Sequence, residues 1–161
     1  MAGILSRNRL LPAFALTACV ALGGLVLAQD QDMEPVSPKL TPKLQELLRK
    51  EMLSINDASQ KILSAMVAGD DLRVAKLAQQ IHDSFILRKL MTPQDEADLK
   101  SAVPQDFIRQ DRAFHDISAA LAQAAQVGDR VEQRKQFSRM IEACTACHAR
   151  YATDRFPNFA E

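Results

Sequence analysis

The chain has 161 residues, 47% of them apolar and 25% charged, with a formal net charge of zero. That is one domain's worth of chain, too apolar for disorder and without the basic excess that a nucleic-acid binder carries. Five glycines, no tryptophan and three cysteines exclude an all-β sandwich rich in turns and a fully paired disulfide framework.

Residues 1–28 read as a cleavable secretory signal peptide. Arg7 and Arg9 supply the positive start, an apolar run follows, and Val26-Leu27-Ala28 ends on small residues suited to a signal peptidase. An uncleaved transmembrane helix is one alternative, because the run from Leu10 to Ala28 is 19 residues long. A lipoprotein signal is another, with Leu16-Thr17-Ala18-Cys19 as its lipobox, though apolar residues continue well past Cys19. Without the segment the chain keeps two cysteines, two glycines and a net charge of −2.

Residues 29–40 are polar and proline-broken and read as a flexible lead-in to a helical domain over 41–161. Thr41-Pro42 is a helix start, a capping side chain followed by proline at the first helical position. Leu44, Leu48, Met52, Ile55, Ile62 and Met66 then form an apolar stripe, leaving Leu47 and Leu63 exposed beside it. Gly69 stops this helix, and Asp70 or Asp71 caps a second. Its buried candidates are Leu72, Ala75, Leu77, Ile81, Phe85 and Leu90.

Thr92-Pro93 repeats the start signal, with Asp95 and Glu96 in the first turn of a short helix that runs to Val103-Pro104. A third long helix turns Phe107, Phe114, Ile117, Leu121 and Ala124 or Ala125 inward. Gly128 stops it and Asp129 caps a fourth, which carries Val131, Phe137, Met140, Ile141, Cys144, His148 and Tyr151 before Pro157 closes it. Short links between amphipathic helices make neighbours antiparallel. The predicted fold is all-α, an antiparallel up-down-up-down four-helix bundle.

The chemistry is concentrated in Cys144-Thr145-Ala146-Cys147-His148, the C-x-x-C-H pattern of covalent c-type haem attachment. Each thiol adds across one haem vinyl group to form a thioether. Residues i, i+3 and i+4 share a helical face, so both sulfurs and the imidazole address one porphyrin. His148 is then the proximal iron ligand. A disulfide inside one helical turn is strained, a thioredoxin-like motif needs a βαβ setting, and zinc needs further ligands at suitable spacing.

The position of the motif on the last helix, together with the four helices and the chain length, resembles the cytochrome c′ family (class II c-type cytochromes). Ala113-Phe114, Leu121, Ala124-Ala125, Gly128-Asp129 and Phe137 match that family's helix-turn-helix, and Arg49 and Gly69 fit its first helix. The resemblance covers about residues 41–152. Tyr151 keeps the family's aromatic after the histidine, but Ala152 stands where an Arg is usual, leaving Arg150 or Arg155 to supply positive charge. The tail Arg155-Phe156-Pro157-Asn158-Phe159 is longer than the family pattern.

The resemblance implies one covalent haem c, a haem pocket that includes Phe114, Phe137 and Tyr151, and a distal residue from the first helix. It puts Leu53 at that position with Met52 beside it. Met52 on iron gives a low-spin electron carrier with a raised potential; an apolar distal side such as Leu53 gives five-coordinate iron open to NO or another small gas. His82 and His115 are further distal candidates, and core packing is the plain reading of Met52. Met66, Met91 and Met140 read as packing residues, and Met33 falls in the lead-in.

The leading expectation is a periplasmic monohaem c-type cytochrome, an electron carrier rather than an enzyme. Its partner is a redox protein, which Lys43, Lys50 and Lys61 either help to dock or simply face as solvated charge. It binds no nucleic acid, keeps no membrane span once the signal is removed, and the resemblance allows an antiparallel homodimer. The alternatives are a gas-binding haem protein and a haem-free helical adaptor or thiol-redox module.

Overall fold

A computed structural model describes residues 33–159, which fold into helices with no strand among the described residues. The signal-peptide reading of 1–28, and Cys19 with it, lie outside the described residues. Helix α1 spans Pro42–Ala68, α2 Asp71–His82, α3 Leu87–Leu90, α4 Pro93–Ala102, α5 Gln105–Gln126 and α6 Arg130–Tyr151. None of these helices is long and apolar enough to cross a membrane.

The caps follow the sequence signals. Thr41 accepts the Leu44 N–H at 3.3 Å with Pro42 at the first helical position. Thr92 and Asp95 form a reciprocal capping box on α4. α1 and α5 end on the same device. Gly69 and Gly128 take φ of 71° and 70°, where a side chain is strained. Asp70 N–H reaches Ala65 O and Asp129 N–H reaches Ala124 O, both at 2.9 Å. Asp70 and Asp129 then cap the next helices through their carboxylates.

These two turns lie together. Arg130 Nη2 donates to Gly69 O at 3.3 Å and Gln133 Nε2 to Asp71 Oδ1 at 3.0 Å. The start of α1 and the end of α6 meet at the other end, where Glu34 and Val36 N–H groups donate to Arg150 and Tyr151 carbonyls at 2.8 and 3.0 Å. In between, α2 packs against α1 and α5, and α5 against α6. Alanines at 75, 78, 122 and 125 let the α2 and α5 backbones approach closely.

Two apolar clusters result. The first holds Ile55, Ile62, Val74, Ile81, Leu121 and Met140 among the alanines. The second, at the end of α6, holds Val36, Leu40, Leu44, Val103 and Tyr151.

Several expectations need correction. Residues 33–40 of the lead-in are not loose: Val36 and Leu40 are buried around a 3-10 turn at Ser37–Lys39. The inward face of α1 runs through Leu44, Leu47, Glu51, Ile55, Ala58, Ile62 and Ala65. A stripe stepping 44, 48, 52 drifts off a face that advances 3.6 residues per turn. Leu47 is therefore buried and Met52 only half-buried, while Leu63 is exposed. Leu72, Leu90, Val131 and Ile141 face outward; Val74, Ala78, Gln133 and Gln136 hold the inward positions instead. α6 ends at Tyr151, six residues before Pro157.

α2 also stops earlier than predicted, at His82. Glu51 is the cause. Its carboxylate, 1% exposed, accepts the Phe85, Ile86 and Leu87 N–H groups at 3.0, 2.5 and 3.1 Å. It serves the free donors that open α3, across 34 to 36 residues of sequence. Ser84 bends the chain into place with a φ of 64°.

Candidate functional site

The last two turns of α6 carry Cys144, Cys147 and His148. Both cysteines are free and half-buried. Cys147 packs against the second apolar cluster, whose border includes Leu48 of α1, Met91, Leu99 of α4, and Phe107 and Ile108 of α5.

Burial sets the protonation of all three groups. It raises the Cys144 thiol and pushes Cys147 up to about 11, where the charges of Asp111 and Cys144 add to the effect. Both sulfurs therefore stay protonated near neutral pH. A thiol-exchange site requires the opposite, a thiolate stabilised by positive charge or a helix N-terminus; these sulfurs sit at a helix C-terminus. Burial lowers His148, which favours the neutral imidazole with a free lone pair, the form that binds metal. The His148 ring stacks on Phe156 at 4.6 Å and 12°, so the long tail folds back onto the motif.

Tyr151 lies one turn beyond Cys147 and is 1% exposed. Phe107 meets its ring edge-on at 5.3 Å, and the Arg150 guanidinium lies 5.1 Å above it. Arg150 Nη1 also faces Asp106 at 3.5 Å. The Tyr151 hydroxyl and Arg150 Nε are buried without a hydrogen-bond partner.

The expected site residues divide between two places. Cys144, Cys147, His148 and Tyr151 come together at the end of α6. Met52, Phe114 and Phe137 are half-buried against the first cluster. Met52 stands one turn past Leu48, where the two clusters adjoin along α1. Phe137 and Met66 line a groove of about 310 Å3 near the glycine turns, beside Leu63, Val67 and Arg130. Leu53 is 55% exposed, because it follows the inward-facing Glu51 by two residues, about 200° around the helix. The position taken as distal thus faces solvent.

His82 and His115 latch α2 to α5. His115 Nδ1 lies 2.8 Å from Ile81 O, and His82 Nδ1 lies 3.0 Å from His115 O. Met140 is fully buried and Met33 is exposed. Sequence reasoning missed Phe156 as a neighbour of His148, and Met91 and Phe107 as residues bordering the cluster that Cys147 packs against. Phe107 alone had a signal, its inward position on α5; Met91 and Phe156 stand in non-periodic links.

The residues fit a covalently bound porphyrin on two observations. Two free thiols and the His148 imidazole, which burial biases toward its neutral form, lie within two turns of α6 beside an apolar cluster, and two buried polar atoms within the next turn, Tyr151 Oη and Arg150 Nε, lack partners. Among the described residues, no three His, Cys, Asp or Glu side chains converge to hold a bare metal ion. Comparison with family models, with curated proteins and with solved structures gave no match to this chain.

Proposed function

We propose that this chain is a monohaem c-type cytochrome of the periplasm that carries single electrons. Its architecture on this reading is an antiparallel up-down-up-down four-helix bundle of α1, α2, α5 and α6, resembling the cytochrome c′ family. Three facts support the bundle: both glycine turns lie together, the opposite chain ends lie together, and α2 and α5 pack as the inner pair.

The observation that carries the reading is Cys144-x-x-Cys147-His148 on the last helix, with free protonated thiols facing apolar surroundings. Cys144 and Cys147 would hold the haem through thioethers, each sulfur bonding a vinyl carbon while its proton goes to the neighbouring carbon. The bound iron supplies the one-electron couple. His148 offers its lone pair as the proximal ligand, with Phe156 fixing the ring plane. The apolar cluster around Cys147 excludes water from that side. The raised thiols speak against a thiol-redox module. The exposure of Leu53 speaks against a gas-binding site blocked by that residue.

Two thioether sulfurs compete for the distal position. Met52 on α1 is half-buried near the junction of the clusters, and Met91 borders the cluster that holds Cys147. The redox partner is a protein. A homodimer through α1 would rest on Leu63 alone of the two leucines, since Leu47 is buried. Export rests on residues 1–28.

The test is a pyridine haemochrome assay on protein matured in a host competent for c-type haem attachment. A c-type spectrum of one haem per chain is expected. Absence of covalent haem would sink the reading.

A further inference from the structure

A groove of about 310 Å3 runs between the last turns of α1 and the first turns of α6. The main close approaches of α1 are to α2 and α3, and those of α6 are to α5, so the seam between α1 and α6 is left open. The α1 wall is apolar. Leu63 and Val67 are 52% and 82% exposed, and Met66 is half-buried beside them. Phe137 adds a half-buried ring from α6. Single exposed apolar residues are ordinary on a protein surface, but a contiguous set lining one groove marks a place where something binds.

The α6 wall is cationic. Arg130 and Arg134 stand one helical turn apart on it, and no acidic residue lines the groove. Arg130 uses one nitrogen, Nη2, on Gly69 O and Asp71, which holds its guanidinium at the groove. Gln133, buried between the two arginines, is tied to Asp71 Oδ1 at 3.0 Å. The Arg134 guanidinium is exposed and takes no part in the ion pairs of the described residues. An apolar wall opposite two guanidiniums selects a ligand with both a hydrocarbon chain and a negative head, and a guanidinium suits a carboxylate above other heads of that size. We infer that the α1–α6 groove binds a medium-chain fatty acid, its alkyl chain laid on Leu63, Met66, Val67 and Phe137 and its carboxylate received by Arg134 and Arg130. The volume lies at the small end of ligand sites, which suits one chain rather than a two-chain lipid. The groove ends at Ser138, six residues before Cys144, so the inference stands whether or not the motif carries haem.

The experiment titrates decanoate, below its micelle range, into the matured full chain and follows amide chemical shifts. The account predicts saturable binding of one decanoate per chain, with shifts confined to residues 63–67 and 130–138. Leu63→Ser, at an exposed position outside the buried core, should weaken binding about tenfold by removing chain contact. Arg134→Ala should weaken it about fivefold, the size expected of an exposed ion pair. Decanol keeps the chain and lacks the charge. It should bind more weakly than decanoate and be indifferent to Arg134→Ala.

Shifts centred on Leu72, Val127 and Val131, the other exposed apolar residues of this end, would place decanoate on apolar surface at large and overturn the inference. So would a titration without saturation, or decanol binding as tightly as decanoate. A dimer in sedimentation that covers the groove and excludes decanoate would assign this face to a second copy of the chain, and would overturn it as well.

Discussion

At the end of the domain where Gly69 and Gly128 turn the chain, polar groups answer one another. Arg130 reaches Gly69 O, Gln133 reaches Asp71, and Asp70 and Asp129 cap the helices they precede. At the end that carries Cys147, two thiols are free and two buried donors have nothing to bond. At the first end these polar groups are answered from within the domain. The second has apolar neighbours and thiols raised by burial, which the proposed reading assigns to a covalently held group, and two buried polar atoms without partners. Answered and unanswered polar groups of one helical domain are thereby separated along α6.

Mutations can break this contrast from either side. The largest expected effect is spectroscopic. If Met52 is the sulfur that binds iron, Met52→Ala abolishes the Met–iron charge-transfer band of the ferric holoprotein and converts it to high spin, whereas Met91→Ala leaves the band intact. The reverse result would transfer the distal role to Met91, and an unchanged spectrum in both would remove methionine ligation altogether.

In the first cluster, Leu121→Ala opens a cavity at a site with no exposure. It should cost about 2–5 kcal/mol of stability in denaturant unfolding, with haem per folded chain unchanged. Glu51→Ala leaves three half-buried N–H groups at the start of α3 without the carboxylate. A loss of about 2–4 kcal/mol is expected, with Glu51→Gln recovering part of it. Equal stability of Glu51→Ala and wild type would show that the loop over 84–87 is held by something else.

Smaller effects belong to α4. Thr92→Ala removes the cap hydroxyl and should cost about 1 kcal/mol by the same unfolding measurement. Asp95, which accepts from Lys43 at 2.5 Å and from Thr92, is held down to about 2 by those bonds, Lys43 first. Its folded-state pKa lies below the unfolded value of 3.8. Its contribution to stability is therefore fully present above about pH 4 and fades as pH falls toward about 2. Lys43→Met should flatten this part of the acid-unfolding curve.

Local chemistry was legible in the sequence. Thr41-Pro42, Thr92-Pro93 and the two Gly-Asp turns act through backbone groups three to five residues away, so composition at a position decides the outcome. The C-x-x-C-H motif is legible for the same reason, its members lying within one helical turn. Features set by distant partners were not. Glu51 reads as a solvated charge until a loop 34 residues on is seen to enclose it. Val36 and Leu40 read as linker until Tyr151 meets them. The mean spacing of apolar residues on α1 gave the right helix and an inward face displaced by one position. That displacement, at Leu48, Met52 and Met66, left Met52 at the margin of the core; Leu53, which the resemblance and not the spacing put forward, faces solvent.

The central claim is that the motif holds a haem covalently. It is tested most directly by the pyridine haemochrome spectrum of the matured wild-type chain beside Cys144→Ser/Cys147→Ser. One covalently bound haem per wild-type chain and none in the double variant is the predicted result; a wild-type chain without covalent haem after maturation in a competent host would contradict it.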